Sequence, residues 1–400
     1  MTGGAASAAQ KPTRDADRDR HRGDDVSDLP ETADVVVVGG GIAGVSTAFF
    51  LGEAGVRSVV VLERGTIGGG ATGRAAGVMT LQAAREPELR FQVESLAVHE
   101  RLREELGTDL TPVGSLLLWT VEEADAARRR AAMHEAAGVR LEILEPDELR
   151  YRFPDLTADD VAVATFSARD PWATPLATVE RLADAARARG AIIREGCEVT
   201  GLELEGERVR GVAVRDGTIA TPTVVNAAGA WARSLAAPAG LRIPVAARKR
   251  QVFVLDAAGT DPAAGPFIEE EARDFYCMKR PDGVIMVCGQ PPGEAYDTAA
   301  EWGYLDDALA PTIRRYPALR HARVTDAWAG VRAVTPDGGP ILGTMPAVPG
   351  YVMAGGLGAQ GFARGPLVGR LVSELITTGR ASLDLSAYRP DRFARAGRGR

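Results

Sequence analysis

Gly39, Gly41 and Gly44 follow a run of four valines, and Glu63 stands about 20 residues further on, at the end of a second apolar run. Residues of these types at this spacing can hold a dinucleotide. Gly39 permits a sharp turn, Gly41 lets backbone approach a pyrophosphate, and Gly44 lets a helix lie close on a sheet. The first residues of that helix, Ile42 and Ala43, begin a terminus whose unpaired N–H groups face the anion. A carboxylate at Glu63, followed by Arg64, accepts hydrogen bonds from ribose hydroxyls, which favours FAD or NAD over NADP. In a chain with 46 glycines a bare glycine turn means little. The argument rests on strand, turn, helix, second strand and acid in that order.

The elements that must position these residues are legible in outline. Val35 to Val38 is a continuous β-branched run, as expected of a strand buried on both faces of a parallel sheet. Residues 65–77 are glycine-rich and predict a loop against the nucleotide. Leu89, Val93, Leu96, Leu102 and Leu106 recur at helical spacing and predict a helix over 87–107. A strand over 113–120, a helix over 121–138 and a helix from the Thr174-Pro175 cap to Gly190 follow. Strands are predicted at 191–194, 199–205, 209–214 and 223–228, with Asp216-Gly217 as a hairpin turn. A further hairpin runs from Tyr276 to Cys288, turned by Pro281-Asp282-Gly283.

Composition narrows the class of protein. Four hundred residues suit two domains, and 45% hydrophobic with 25% charged residues is the balance of a globular protein in water. A net charge of −7 argues against nucleic acid as the main partner. The three cysteines, Cys197, Cys277 and Cys288, form no CxxC pair, so neither a disulfide framework nor a thiolate metal site is suggested and a reducing cytoplasm is expected. His21, His99, His134 and His321 lack metal-ligand spacing, and no metal is expected. No run is long and apolar enough for a membrane span. Residues 1–33 read as a disordered leader without the apolar core of a signal peptide, and 386–400 as a basic tail. The chain has no G-x-S-x-G elbow and no P-loop, so hydrolase and kinase readings lack support.

Three further segments act together with the first: Val224-Val-Asn-Ala-Ala-Gly-Ala-Trp231, the stretch from Trp328 through Arg332 and Pro336-Asp337 to Gly343, and the stretch from Gly355 through Gly358 and Gly361 to Pro366. In this order, with Glu63 and Ala71-Thr72-Gly73-Arg74, the chain resembles the D-amino-acid oxidase superfamily of FAD-dependent amine oxidoreductases, in particular glycine oxidase, sarcosine oxidase and the β-subunit-like sarcosine and proline dehydrogenases. The resemblance covers roughly residues 33 to 380. It implies an α/β fold: a Rossmann-like FAD-binding domain of the glutathione-reductase type from residues 34–85, 166–244 and 326–385, and a second α+β substrate domain on a mixed or antiparallel sheet from 86–165 and 245–325. It also implies that Ala71, Thr72, Arg74, Val199, Ala228, Gly229, Trp231, Gly356, Gly358, Ala359, Gln360 and Gly361 join the first unit in holding FAD. Pro366 is expected near the start of a helix whose dipole favours negative charge on the reduced ring.

The same resemblance gives Arg332 the substrate carboxylate. The residues agree: along a strand Trp328, Gly330 and Arg332 share one face, and a guanidinium reaching past a glycine offers a two-pronged grip. Gln360 stands where many sarcosine-oxidase-like relatives have histidine, and Tyr276, Met278 and Trp172 are candidate pocket walls. Gly330 occupies the place of the cysteine that tethers flavin in monomeric sarcosine oxidase, so noncovalent FAD is expected. The strand from Val284 to Gly289 lacks the lysine that promotes oxygen reaction there, so the chain leans slightly toward a dehydrogenase, or an oxidase with a different oxygen site. Lys279 across the hairpin is an alternative to that lysine, with a solvated role expected. The implied activity is oxidation of the C–N bond of an amino acid or secondary amine such as an N-substituted glycine, with electrons passing to oxygen or an acceptor protein. The alternatives are a flavin-binding subunit of a hetero-oligomeric complex, an oxidase for an unusual amine or hydrazine, and an NAD-dependent dehydrogenase, which would leave the C-terminal glycine motif unexplained.

Overall fold

The computed structural model describes residues 29–256, 265–280 and 283–393. Val35–Val38 and Val59–Leu62 are buried at every position and pair in parallel, as their uninterrupted β-branched character requires. They lie inside a six-stranded sheet in the order Ile341–Thr344, Tyr351–Gly355, Val224–Asn226, Val35–Val38, Val59–Leu62, Ile192–Arg194. Its pairs are parallel except that between Ile341–Thr344 and Tyr351–Gly355. Helices Ile42–Glu53, Pro175–Ala188, Glu86–Leu106 and Gly361–Thr378 share one apolar core with one face of this sheet. An antiparallel three-stranded sheet, Val199–Glu205, Arg208–Val214 and Gly217–Ala220, packs with the other.

An eight-stranded sheet forms the second unit, in the order Val324–Val334, Ala246–Leu255, Gly283–Cys288, Phe275–Arg280, Phe267–Glu270, Ser115–Trp119, Val163–Ser167, Glu142–Leu144. It is antiparallel except for the parallel pairing of Phe267–Glu270 with Ser115–Trp119. The α/β class with a Rossmann-like layer and a second unit on a mixed sheet is therefore the one observed.

Several local expectations are corrected. Val324–Val334 pairs along its whole length with Ala246–Leu255, so the division expected at residue 326 runs through a strand of the second sheet. Glu86–Leu106, expected to open the substrate unit, buries Phe91, Leu96, Val98 and Leu102 in the core of the nucleotide unit. Residues 29–33, expected in the leader, join the fold: Glu31 and Ala33 exchange backbone hydrogen bonds with Ala220. The rest of that leader, Pro281 and Asp282 of the hairpin turn, and 394–400 of the tail lie outside the described residues. Tyr388 is buried against Phe91 and its hydroxyl donates to the Pro87 carbonyl at 2.9 Å, so the start of the tail is docked. Val214 pairs with Gly217, which moves that hairpin turn to Arg215-Asp216. Thr174 precedes its helix without a capping side-chain bond; its hydroxyl donates instead to Asp109 at 2.6 Å.

Pro366 lies inside the Gly361–Thr378 helix rather than near its start. Proline has no N–H for the carbonyl four residues earlier, here that of Phe362. The imidazole of His99 packs beside this gap: its Nε2 lies 3.1 Å from the neighbouring Ala363 carbonyl and its ring against Phe362. Burial depresses the His99 pKa to about 4. Because the folded value lies below the ordinary 6.5, the unfolded chain takes up the extra proton. Stability is fully present above about pH 6.5 and falls as pH drops toward 4, by on the order of 3 kcal/mol for a fully buried ring. Urea unfolding midpoints at pH 7.5 and pH 5 should therefore differ in the native protein, and His99→Gln should remove a large part of that difference.

Candidate active site

Gly39 adopts φ 113°, where a Cβ would lie 2.4 Å from the Ala227 carbonyl oxygen. A Cβ on Gly44 would lie 2.0 Å from the Gly39 carbonyl oxygen, so this residue sets how closely the Ile42–Glu53 helix approaches the turn. The turn is tied down from outside: the Ile42 N–H donates to Thr72 Oγ1 at 3.0 Å, and the Glu63 carboxylate accepts from the N–H groups of Gly40 at 2.7 Å and Gly65 at 2.8 Å. Glu63 is thereby fixed at the end of its strand.

Three other segments meet this turn around a cavity of about 950 Å³. Ala71, Thr72 and Arg74 line it from the glycine-rich loop, where Arg74 donates to the carbonyls of Gly69 and Gly70. Ala228, Gly229 and Trp231 line it from a turn that Asn226 organises: its Oδ1 accepts from the Ala228 N–H and its amide donates to the Ala232 carbonyl at 2.8 Å. Arg64 stacks on Trp231 with its guanidinium carbon 3.7 Å from the ring centre. Val199 contributes from the three-stranded sheet, and Gly356, Gly358, Ala359, Gln360 and Gly361 from the last glycine motif. The Gly361–Thr378 helix begins there without a side-chain cap, and Gln360 Oε1 is buried without a partner. Of the residues expected to hold the cofactor, Gly44 does not line the cavity; its place is behind the turn, where its packing role puts it.

The second sheet completes the cavity. Val252 stands opposite Trp328, Arg250 opposite Gly330 and Arg248 opposite Arg332, so these six share one face. Arg332 Nη2 donates to Gln290 Oε1 at 2.8 Å, while its Nε is buried without a partner. Burial, reinforced by the Arg250 charge, lowers the Arg332 pKa, so the group gains by taking up an anion. Burial pushes the Tyr276 hydroxyl up to about 12. It is a neutral hydrogen-bond donor and no base near neutral pH. Trp328 Nε1 donates to the Arg74 carbonyl at 3.0 Å and joins this sheet to the loop.

Met278 and Trp172 do not line the cavity. Met278 packs among Val252, Ile285 and Val287, and Trp172 lies behind Ala76, donating to its carbonyl at 2.9 Å. Lys279 lies over the Tyr316 ring beside Asp155, outside the cavity lining. Cys277 and Cys288 are buried thiols, each pushed up to about 12 by burial. The sequence reading missed Arg250, Val252, Val287, Tyr296 and Thr298, all of which line the cavity. The period of two along 248–252 puts Arg250 and Val252 on one face, but which face meets the cavity depends on Gly330, 80 positions away.

A glycine turn, a helix N-terminus behind it and a fixed acid, leading into a cavity with a guanidinium, are the features of a dinucleotide-dependent oxidoreductase. The profile of the DAO family, described as FAD dependent oxidoreductase, matches residues 34–375, and the chain belongs to that family. It is 29% identical over 389 residues to human "Sarcosine dehydrogenase, mitochondrial", covering 91% of this chain and 42% of that protein. It thus spans less than half the length of that relative. It is 29% identical over 373 residues to "Sarcosine oxidase subunit beta" of Rhizobium meliloti (strain 1021), covering 90% of this chain and 88% of the relative. Among solved structures, L-proline dehydrogenase from P. horikoshii superposes with a TM-score of 0.87 at 30% identity, over 92% of this chain and 99% of the other.

The residues present fit FAD: two helix N-termini, a fixed acid and an unpartnered buried amide oxygen border one cavity that joins the nucleotide turn to Arg332. Gly44→Ala would drive a methyl into the Gly39 carbonyl, and backbone on both sides leaves little relief. The ratio of flavin to protein absorbance in the purified variant is expected to fall below about a tenth of the native ratio.

Proposed function

We propose that this chain oxidises the C–N bond of an amino acid or N-substituted glycine, with noncovalently bound FAD as hydride acceptor. The observation that carries this reading is the placement of Arg332 and the neutral Tyr276 hydroxyl on the sheet face that borders the same cavity as the dinucleotide turn. Bound FAD supplies the two-electron acceptor. Arg332 holds the carboxylate through its Nε edge, and that anchor fixes the α C–H, making transfer effectively intramolecular. Among the described lining residues the carboxylates are Glu63 and Glu198, beside the nucleotide turn and Val199. The ammonium therefore loses its proton to solvent before hydride transfer, its pKa lowered by the guanidinium charges around it. The imine so formed hydrolyses to an oxo acid and an amine.

Gly330 brings no thiol to the cavity wall, and the lysines of the second sheet are engaged elsewhere, Lys249 with Asp297 and Glu301 and Lys279 with Asp155. Both facts support noncovalent FAD and an acceptor other than direct lysine-assisted oxygen. The likeness to a protein named as a β subunit favours a second reading, a chain that works within a larger assembly. Cytoplasmic location belongs to the same proposal; among the described residues no helix is long and apolar enough to cross a membrane.

Anaerobic titration of the purified yellow protein with glycine, sarcosine, proline, D-amino acids and N-alkylglycines tests the activity. Bleaching of the flavin band by members of this set is expected, and a flavin that none of them reduces would overturn the proposal. Arg332→Ala should weaken carboxylate binding by about 2–5 kcal/mol, read as the concentration of amine giving half-maximal bleaching rate. A chain that bleaches yet fails to pass electrons to an artificial acceptor would favour the subunit reading.

A further inference from the structure

Arg250 is a second guanidinium in the same cavity, and its surroundings are unusual. Its side chain is 7% exposed, whereas its ion-pair partner Asp274 is 65% exposed. Asp274 is the non-glycine residue with positive φ among the described residues, at 48°. From that turn it accepts Arg250 Nη1 on its carboxylate and Nη2, at 2.7 Å, on its main-chain carbonyl. Of the five N–H groups of a guanidinium, these bonds take two. Nε is buried with no partner. A solvated carboxylate is a weak counterion for a buried cation, because water screens one side of the pair and the desolvation of the other is not recovered.

Arg250 also borders the cavity. Its cross-strand neighbour is Gly330, which leaves the space where a side chain would stand, and Arg332 lies on the diagonal, about 7–8 Å away by strand geometry. Arg248 on the same face reaches outward to the Gly293 carbonyl at 2.6 Å. Val252 and Val287, on the side of Arg250 away from Arg332, offer no hydrogen bond to a polar ligand. Two cations on one face, each with an unpartnered buried Nε, present two anion positions with only Gly330 between them along the strand of Arg332.

We propose that Arg250 is a specificity-determining residue that binds a second carboxylate, so that the preferred substrate is an amino or imino dicarboxylic acid with one carboxylate on Arg332 and the other on Arg250. This rests on the amine-oxidising reading of the cavity. Asp274 serves as the resting counterion and aims the guanidinium, and the water-excluded ligand carboxylate is the stronger partner because the local dielectric is lower.

Two redox-inert ligands separate the possibilities on the FAD-loaded protein: thiodiacetate, with two carboxylates, and (methylthio)acetate, with one. Each is titrated while the visible flavin spectrum is followed, so the readout is a dissociation constant and not turnover. The native protein should bind thiodiacetate at least about tenfold more tightly. Arg250→Met should bring thiodiacetate down to the level of (methylthio)acetate and leave the latter within about twofold. Asp274→Asn, which removes the competing counterion and keeps Arg250, should tighten thiodiacetate binding. Equal binding of the two ligands by the native protein, or an Arg250→Met variant that weakens both alike, would overturn the inference and assign the Arg250–Asp274 pair a purely structural role. In either case amine bleaching of the flavin would leave the proposed function intact. If neither ligand perturbs the spectrum and no amine bleaches it, both readings fall.

Discussion

The site depends on the close contact between the Ile42–Glu53 and Gly361–Thr378 helices. A Cβ on Gly365 would lie 2.5 Å from the Ile42 side chain, and one on Gly369 would lie 2.5 Å from the backbone of Ser46. Only glycine at these two positions lets the axes come this near. The contact brings two helix N-termini to the same cavity, one behind the Gly39–Gly44 turn and one behind Gly358–Gly361. Neither N-cap residue supplies a side-chain cap, and although Thr72 takes the Ile42 N–H, both termini present the positive end of a dipole to a bound anion.

Further ties hold the second sheet to this frame. Trp328 donates to the Arg74 carbonyl, and a Cβ on Gly330 would meet Arg74 at 3.8 Å, so the strand bearing Arg332 packs directly on the loop that borders the nucleotide turn. Val324–Val334 belongs to the second sheet by its pairing and to the first unit by these contacts. The two units are consequently joined at the cavity wall itself. Rotation of one against the other would displace Arg332 from the nucleotide turn.

Charge in the cavity is graded. At the nucleotide end a carboxylate is immobilised by two backbone N–H groups, and a guanidinium is stacked on an indole. At the sheet end two guanidinium groups are buried with partly unmet hydrogen-bonding capacity, and a phenol is held neutral. Such a gradient suits a nucleotide at one end of the cavity and a separate anionic ligand at the other.

Local rules made much of this legible in the sequence. The glycine turn, its strand and the acid are contiguous and each follows from backbone sterics and burial of β-branched residues, so their roles could be read in order. The alternation that places Gly330 and Arg332 on one strand face is equally local. What tertiary structure decided is everything that depends on a distant partner. The helix runs through Pro366, and His99, from another helix, packs beside the carbonyl that proline leaves short of a donor, a contact no local pattern specifies. Glu86–Leu106 joined the nucleotide core because its apolar stripe found the Gly361–Thr378 helix, which its periodicity alone could not specify. Arg250 became part of the site because the register of two strands set it opposite a glycine. Spacing along a chain fixes which residues can share a face; only the packed sheets determine what that face meets.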